Sequence, residues 1–102
     1  ATVPAGLRVR AARQPLAGGG TLVCELATAA ARVELHVLDP QGRRVRTLLA
    51  GPWPAGEQRV AWDGRDAQGA HVAPGVYLLH VLAVDALGVV RSAAGKLVLV
   101  RP

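Results

Sequence analysis

The chain has 102 residues, of which 51% are hydrophobic and 19% charged, with twelve basic against seven acidic side chains. That length holds one hydrophobic core and excludes two independent domains, and the apolar content excludes low-hydrophobicity disorder. No uninterrupted apolar run exceeds four residues, far short of the roughly 20 that cross a bilayer as a helix.

Twelve Gly and seven Pro punctuate the chain. Between them lie short Val- and Leu-rich runs in which apolar and polar residues alternate, the rhythm of half-buried strands. Leu7, Val9 and Ala11 alternate with Arg8 and Arg10. Leu22, Cys24 and Leu26 alternate with Thr21, Val23 and Glu25, and Val33, Leu35 and Val37 oppose Arg32, Glu34 and His36. Residues 1–19 are expected to form an N-terminal strand and a Gly-rich hinge, free to swing and add to a neighbour's sheet. Residues 20–102 then form the body of a single domain. The three consecutive alanines within Leu26 to Arg32 could begin a helical turn, but the segment is too short to stand alone and reads as a bend between antiparallel strands.

Asp39-Pro40-Gln41-Gly42 places Pro and Gly where a type I turn wants them, so a hairpin returns over about Arg43 to Leu49. The two prolines of Gly51 to Gly56, which lack ladder donors, end that strand. Gln58, Val60 and Trp62 share one face of the next strand, and Tyr77, Leu79, Val81 and Ala83 share a face of the one after. Asp85 to Gly88 turns the chain into a last strand or two over Val89 to Val100. About seven strands at this spacing predict an all-β, immunoglobulin-like or fibronectin type III-like antiparallel sandwich.

Most of the chemistry-bearing residues have a plain structural reading. The lone Cys24 sits in an alternating apolar run as a small buried hydrophobe. Asp63, Asp66 and Gln68 offer oxygens, yet lack the alternating acidic pattern and terminal Glu of a calcium loop, so no metal or cofactor is expected. His36 and His80 fall on outward positions and His71 in a loop, which reads as three surface histidines. The only serine, Ser92, lies in a turn-like Arg-Ser-Ala-Ala-Gly segment without a nucleophile elbow, and no catalytic residue is assigned. Arg43, Arg44 and Arg46 cluster after the Asp39 turn, but with stacking platforms missing the basicity argues little for nucleic acid. An anionic surface polysaccharide is the other acidic partner these arginines could meet. Trp53, in its double-proline loop, is the one aromatic placed to touch a glycan.

The most informative stretch is Trp62-Asp63-Gly64-Arg65-Asp66-Ala67-Gln68-Gly69, followed by Pro74-Gly75-Val76-Tyr77. Aspartates that cap backbone amides, glycines at Gly64 and Gly69 that permit positive φ, and the Pro74-Gly75 turn build a loop. Trp62 and Tyr77 pin it to the core. With Val33 to Leu48 and Pro54-Ala55-Gly56, this order of elements over about residues 20 to 101 resembles the immunoglobulin-like domain of the flagellar hook-capping protein, the FlgD type. It is also similar to C-terminal domains of many secreted bacterial proteins. The resemblance implies a β-sandwich serving as scaffold, spacer or attachment module, not an enzyme, outside the cytoplasm. Ala1 then reads as the start of a mature product or an excised domain.

One anomaly points to a contact surface. Leu78, Leu82 and Val84 lie opposite the core face of the Tyr77 strand, and the last strand is apolar on both faces, with Val98 and Val100 on the outer one. A sheet solvated on one side should not read this way. The expected partner is protein, either other domains of the parent chain or copies of itself. The expected role is a structural or attachment module of a secreted or surface protein. The alternatives are a self-assembling subunit of a filament or hook-cap scaffold, and a polysaccharide-binding accessory domain.

Overall fold

The computed structural model describes residues 7–100, with the side chain of Leu49 outside the description. It consists of β1 (Leu7–Ala11), β2 (Leu16–Ala17), β3 (Gly20–Leu26), β4 (Ala30–Leu38), β5 (Arg44–Trp53), β6 (Gly56–Trp62), β7 (Gly75–Val84) and β8 (Val90–Val100). Three strands pair in the order β1-β3-β6, and five in the order β2-β8-β7-β4-β5. Every pairing is antiparallel except the short β2 against β8. Among the described residues no helix is long and apolar enough to cross a membrane.

The alternation works because period-two side chains leave one face of each sheet apolar, and the two faces stack. Leu7 and Val9 of β1 and Leu22, Cys24 and Leu26 of β3 meet Val33, Leu35 and Val37 of β4 and Leu79, Val81, Leu97 and Leu99 of β7 and β8. The outer face of the small sheet is charged. Val23 is 0% exposed there because it lies in register between Arg10 and Arg59, whose stems cover it. Their heads reach carboxylates: Arg10 lies 3.9 Å from Glu25 and 3.8 Å from Glu57, and Arg59 3.2 Å from Glu57. Long basic side chains covering apolar surface this way keep the charge in water.

Several expectations need correction. The Leu26 to Arg32 bend joins strands of different sheets, since β3 pairs with β1 and β6 while β4 pairs with β5 and β7. β5 runs on through Gly51 and Pro52 to Trp53, because an edge strand tolerates a missing donor on its open side. Ser92 lies within one continuous strand rather than a turn. β1 is an integral member of the small sheet, and the glycines after β2 form a close crossing. A Cβ on Gly19 would stand 2.6 Å from the Trp62 carbonyl oxygen. This is a packed passage, not an open hinge.

Three connections use one device. Asp39, Asp66 and Asp85 each accept, through one carboxylate oxygen, the backbone N–H groups two and four residues on, at 2.8 to 3.0 Å. Each is followed by a Gly at positive φ, Gly42, Gly69 or Gly88, whose N–H donates to the carbonyl of that Asp. The body measures 40 × 28 × 21 Å. β1 begins where Leu7 adjoins Asp85 and Val89, and β8 ends where Val100 adjoins Gly64 and Pro74, so the described chain enters and leaves at opposite ends.

Candidate functional site

The loop after β6 is closed by two aromatic residues. The Trp62 and Tyr77 rings meet edge to face, with centroids 6.1 Å apart and planes at 69°. Trp62 Nε1 donates to the Arg65 carbonyl at 3.1 Å, and the Tyr77 hydroxyl donates to the Ala73 carbonyl, a tether of the kind found at strand corners in immunoglobulin folds. Asp63 Oδ1 accepts the Arg65 backbone N–H at 3.0 Å and the Arg46 guanidinium at 3.1 Å. The Arg65 amide, with Arg46 adding to it, holds the Asp63 carboxyl below its usual range. Arg46 Nη1 also donates to the Arg65 carbonyl at 3.0 Å.

This clamp from β5 is not legible in the sequence, where Arg46 reads only as one of three basic residues clustered after the Asp39 turn. Arg46 instead serves the loop, and Arg43 donates to Asp39 Oδ2 at 2.9 Å. The signal that could have exposed the loop chemistry is the Asp-x-x-Gly spacing, which recurs at Asp39, Asp66 and Asp85.

The structure thus brings Trp62, Asp63, Gly64, Asp66, Gly69, Pro74, Gly75 and Tyr77 together as one closed loop at one end of the sandwich. Gly64, at φ +75, admits the Gly18 carbonyl so closely that a Cβ would lie 2.1 Å from it. A groove of about 550 Å³ runs beside it between His71, Val72, Pro74, Leu99 and Val100. Among the described residues no three His, Cys, Asp or Glu side chains are gathered to hold a metal. Cys24 is buried, and burial pushes its thiol up to about 11.

The outer face of the large sheet carries the second set of residues. Across β7, Leu78 lies between Leu38 and Lys96, Leu82 between Glu34 and Ser92, and Val84 between Arg32 and Val90. Val98 stands opposite Val76, and Val100 opposite Ala17. Val76, Val90, Val98 and Val100 are 43%, 59%, 36% and 36% exposed, while Leu78, Leu82 and Val84 are half-buried by their neighbours.

His36 and His80 meet in the middle of this face, stacked with centroids 6.4 Å apart and planes at 11°. His36 is not a surface histidine: it points outward yet is only 6% exposed. His80, Thr47 and Glu34 close over it, with Nδ1 3.0 Å from Thr47 Oγ1 and Nε2 3.3 Å from Glu34 Oε1. Burial, with the Arg44 charge adding to it, lowers its pKa. Trp53 is half-buried, opposite Ala30 and packed against the core, so its ring is only partly open to a ligand.

A family model described as the FlgD Ig-like domain matches residues 11–86. The chain belongs to that family. Among curated proteins none matches it. Among solved structures it is similar to the dimeric latent PorU of Porphyromonas gingivalis, with a TM-score of 0.78 and 19% identity over 94% of this chain and 9% of that one. It is similar to FlgD of Xanthomonas campestris, a hook-capping protein of flagellar assembly, with a TM-score of 0.63 and 28% identity over 90% of this chain and 70% of that one. PorZ of P. gingivalis, described as a surface component of the type-IX secretion system, matches with a TM-score of 0.56 and 23% identity over 94% of this chain and 12% of that one. The chain therefore spans about a tenth of the two Por proteins and most of the hook-capping one. As a FlgD-type Ig-like domain it is a structural module of a kind found within larger proteins.

Proposed function

We propose that this FlgD-type domain is a non-enzymatic, extracytoplasmic attachment module, the C-terminal Ig-like domain of a secreted or cell-surface bacterial protein. The observation that carries the reading is the contrast between its outer faces. The small sheet turns interleaved Arg and Glu to solvent, as a free surface does, whereas the large sheet turns out Val76, Leu78, Leu82, Val84, Val98 and Val100. The apolar residues flank the His36–His80 pair, Arg32 is paired with Glu34 at 2.8 Å, and Arg44 and Lys96 lie beside Leu38 and Leu78, an arrangement that suits a protein partner bringing apolar side chains on either side of a polar centre. In the loop, Asp63 and Asp66 each give one carboxylate oxygen to backbone amides, the chemistry of a scaffold turn. The likeness to a surface component of a secretion system supports the location.

The test is retention on the producing bacterium. Labelled protein incubated with intact cells stays with them, Leu82→Glu is released by washing while its melting temperature holds, and Arg8→Glu on the opposite face behaves as the unaltered protein does. Equal retention of all three, or recovery of the native protein from the cytoplasmic fraction, contradicts the reading.

A further inference from the structure

The centre of a contact face is where a partner excludes water most completely, and on the large sheet two histidines occupy that centre. His36 of β4 and His80 of β7 are directly opposite in register, and their rings stack at 6.4 Å between centroids. Leu78 and Leu82 stand two residues to either side of His80 on the same face of β7. β8 sets Ala94 opposite His80, with Ser92 and Lys96 as its diagonal neighbours. Thr47 of β5 and Glu34 of β4 close in His36, whereas His80 is half-buried. A partner lying on this face therefore finishes the burial of His80, and of His36 with it.

The charged groups that face the pair come from the strands on both sides. Glu34 favours a protonated ring, but Arg32 already bonds one of its oxygens. Arg44 of β5, opposite Leu38, acts the other way and with burial lowers the pKa of His36. Lys96 of β8, opposite Leu78, sets a second cation diagonal to His80. β7 carries no Asp, Glu, Lys or Arg. Covering the pair takes away the water that a protonated imidazole needs, and leaves it among leucines and cations.

We propose that the His36–His80 pair makes attachment through this face pH-dependent: the partner is held while both rings are neutral and released when either takes up a proton. The inference rests on the reading of this face as the docking surface, and it gives that surface a means of release. The covered state favours neutral rings more than the uncovered one does. Binding is therefore strong above the pH at which the uncovered pair takes up a proton, and weakens as pH falls through it. His80 carries most of the change, because His36 is already enclosed by its own fold.

The test is the half-saturating concentration of labelled protein on intact cells of the producing bacterium at pH 7.5 and at pH 5.5, with circular dichroism at the same temperature reporting the fold. For the native protein that concentration is expected to rise roughly tenfold at pH 5.5, the change that one histidine required to bind neutral gives over the interval. His80→Gln keeps a polar side chain without a titrating ring, and binds alike at both pH values. His71→Gln, altered at an exposed loop position, follows the native profile. Equal native binding at both pH values overturns the proposal, and if Leu82→Glu is still released the docking reading survives it. No binding of the native protein at either pH overturns both. A His80→Gln profile as steep as the native one, a flat His71→Gln profile, or a native domain unfolded at pH 5.5 overturns the pH dependence alone.

Discussion

Gly64 and Gly69 stand five residues apart in one loop, both at positive φ, yet they do different work. At Gly64 an added methyl would meet the Gly18 carbonyl oxygen at 2.1 Å, whereas at Gly69 nothing lies within 4 Å. Gly69→Ala therefore carries only the left-handed backbone strain, about 1–2 kcal/mol. Gly64→Ala adds a collision with main chain that has no rotamer to turn away. Denaturant unfolding is expected to place Gly69→Ala within that range and Gly64→Ala well beyond it, unfolded at ordinary temperature if the crossing cannot widen. Equal losses would mean that the Gly18 contact does not hold the loop. In the sequence, turn chemistry marks both glycines, and Trp62 and Tyr77 stand out as large amphipathic rings at strand ends. The Gly18 to Gly64 contact leaves no such mark, being a meeting of two backbones distant in sequence with no side chain between them.

At the scale of the element, β4 shows where alternation informs and where it misleads. Val33, Leu35 and Val37 face the core as their spacing predicts, but the outward His36 is buried too, because cover on that face comes from β5 and β7, which no local pattern reveals. Its burial sets a pH dependence. The folded state holds the ring's pKa below its ordinary value, so the folded state favours the neutral ring. That stability is present above about pH 6.5, the unfolded value, and is lost as pH falls from there through the folded value. Glu34, which faces Nε2 and is itself held low by Arg32, opposes the shift, while Arg44 and His80 reinforce it. Asp39 and Asp63, also held low, lose their contribution only below about pH 4, outside this window. The melting temperature of the native protein is expected to fall between pH 7.5 and 5, and that of His36→Gln to fall less; parallel curves would contradict the assignment. β5 and β8 were the less legible strands. Pro52 reads as a stop although an edge admits it, and β8 is apolar on both faces for two separate reasons, core packing for Leu97 and Leu99 and an uncovered outer surface for Val98 and Val100.

Over the whole molecule, two sheets with unlike exteriors are held in register at one end by a loop whose carboxylates serve its own backbone. The sandwich and its closing loop were legible because they follow from short-range signals, strand alternation and turn chemistry. The covered His36 and the Arg46 clamp were not, because each depends on which strands become neighbours. The central claim is that the Trp-Asp-Gly loop is architecture rather than a ligand site, and the most direct test is the thermal unfolding of the intact chain with calcium, with chelator, and with Asp66→Ala. The account predicts superimposed melts in calcium and chelator, and a melt lowered by roughly 4 °C or more in Asp66→Ala under both conditions, as the loss of about 1 kcal/mol of loop hydrogen bonding would give. A melt raised by calcium in the native protein and unmoved by it in Asp66→Ala would contradict the account.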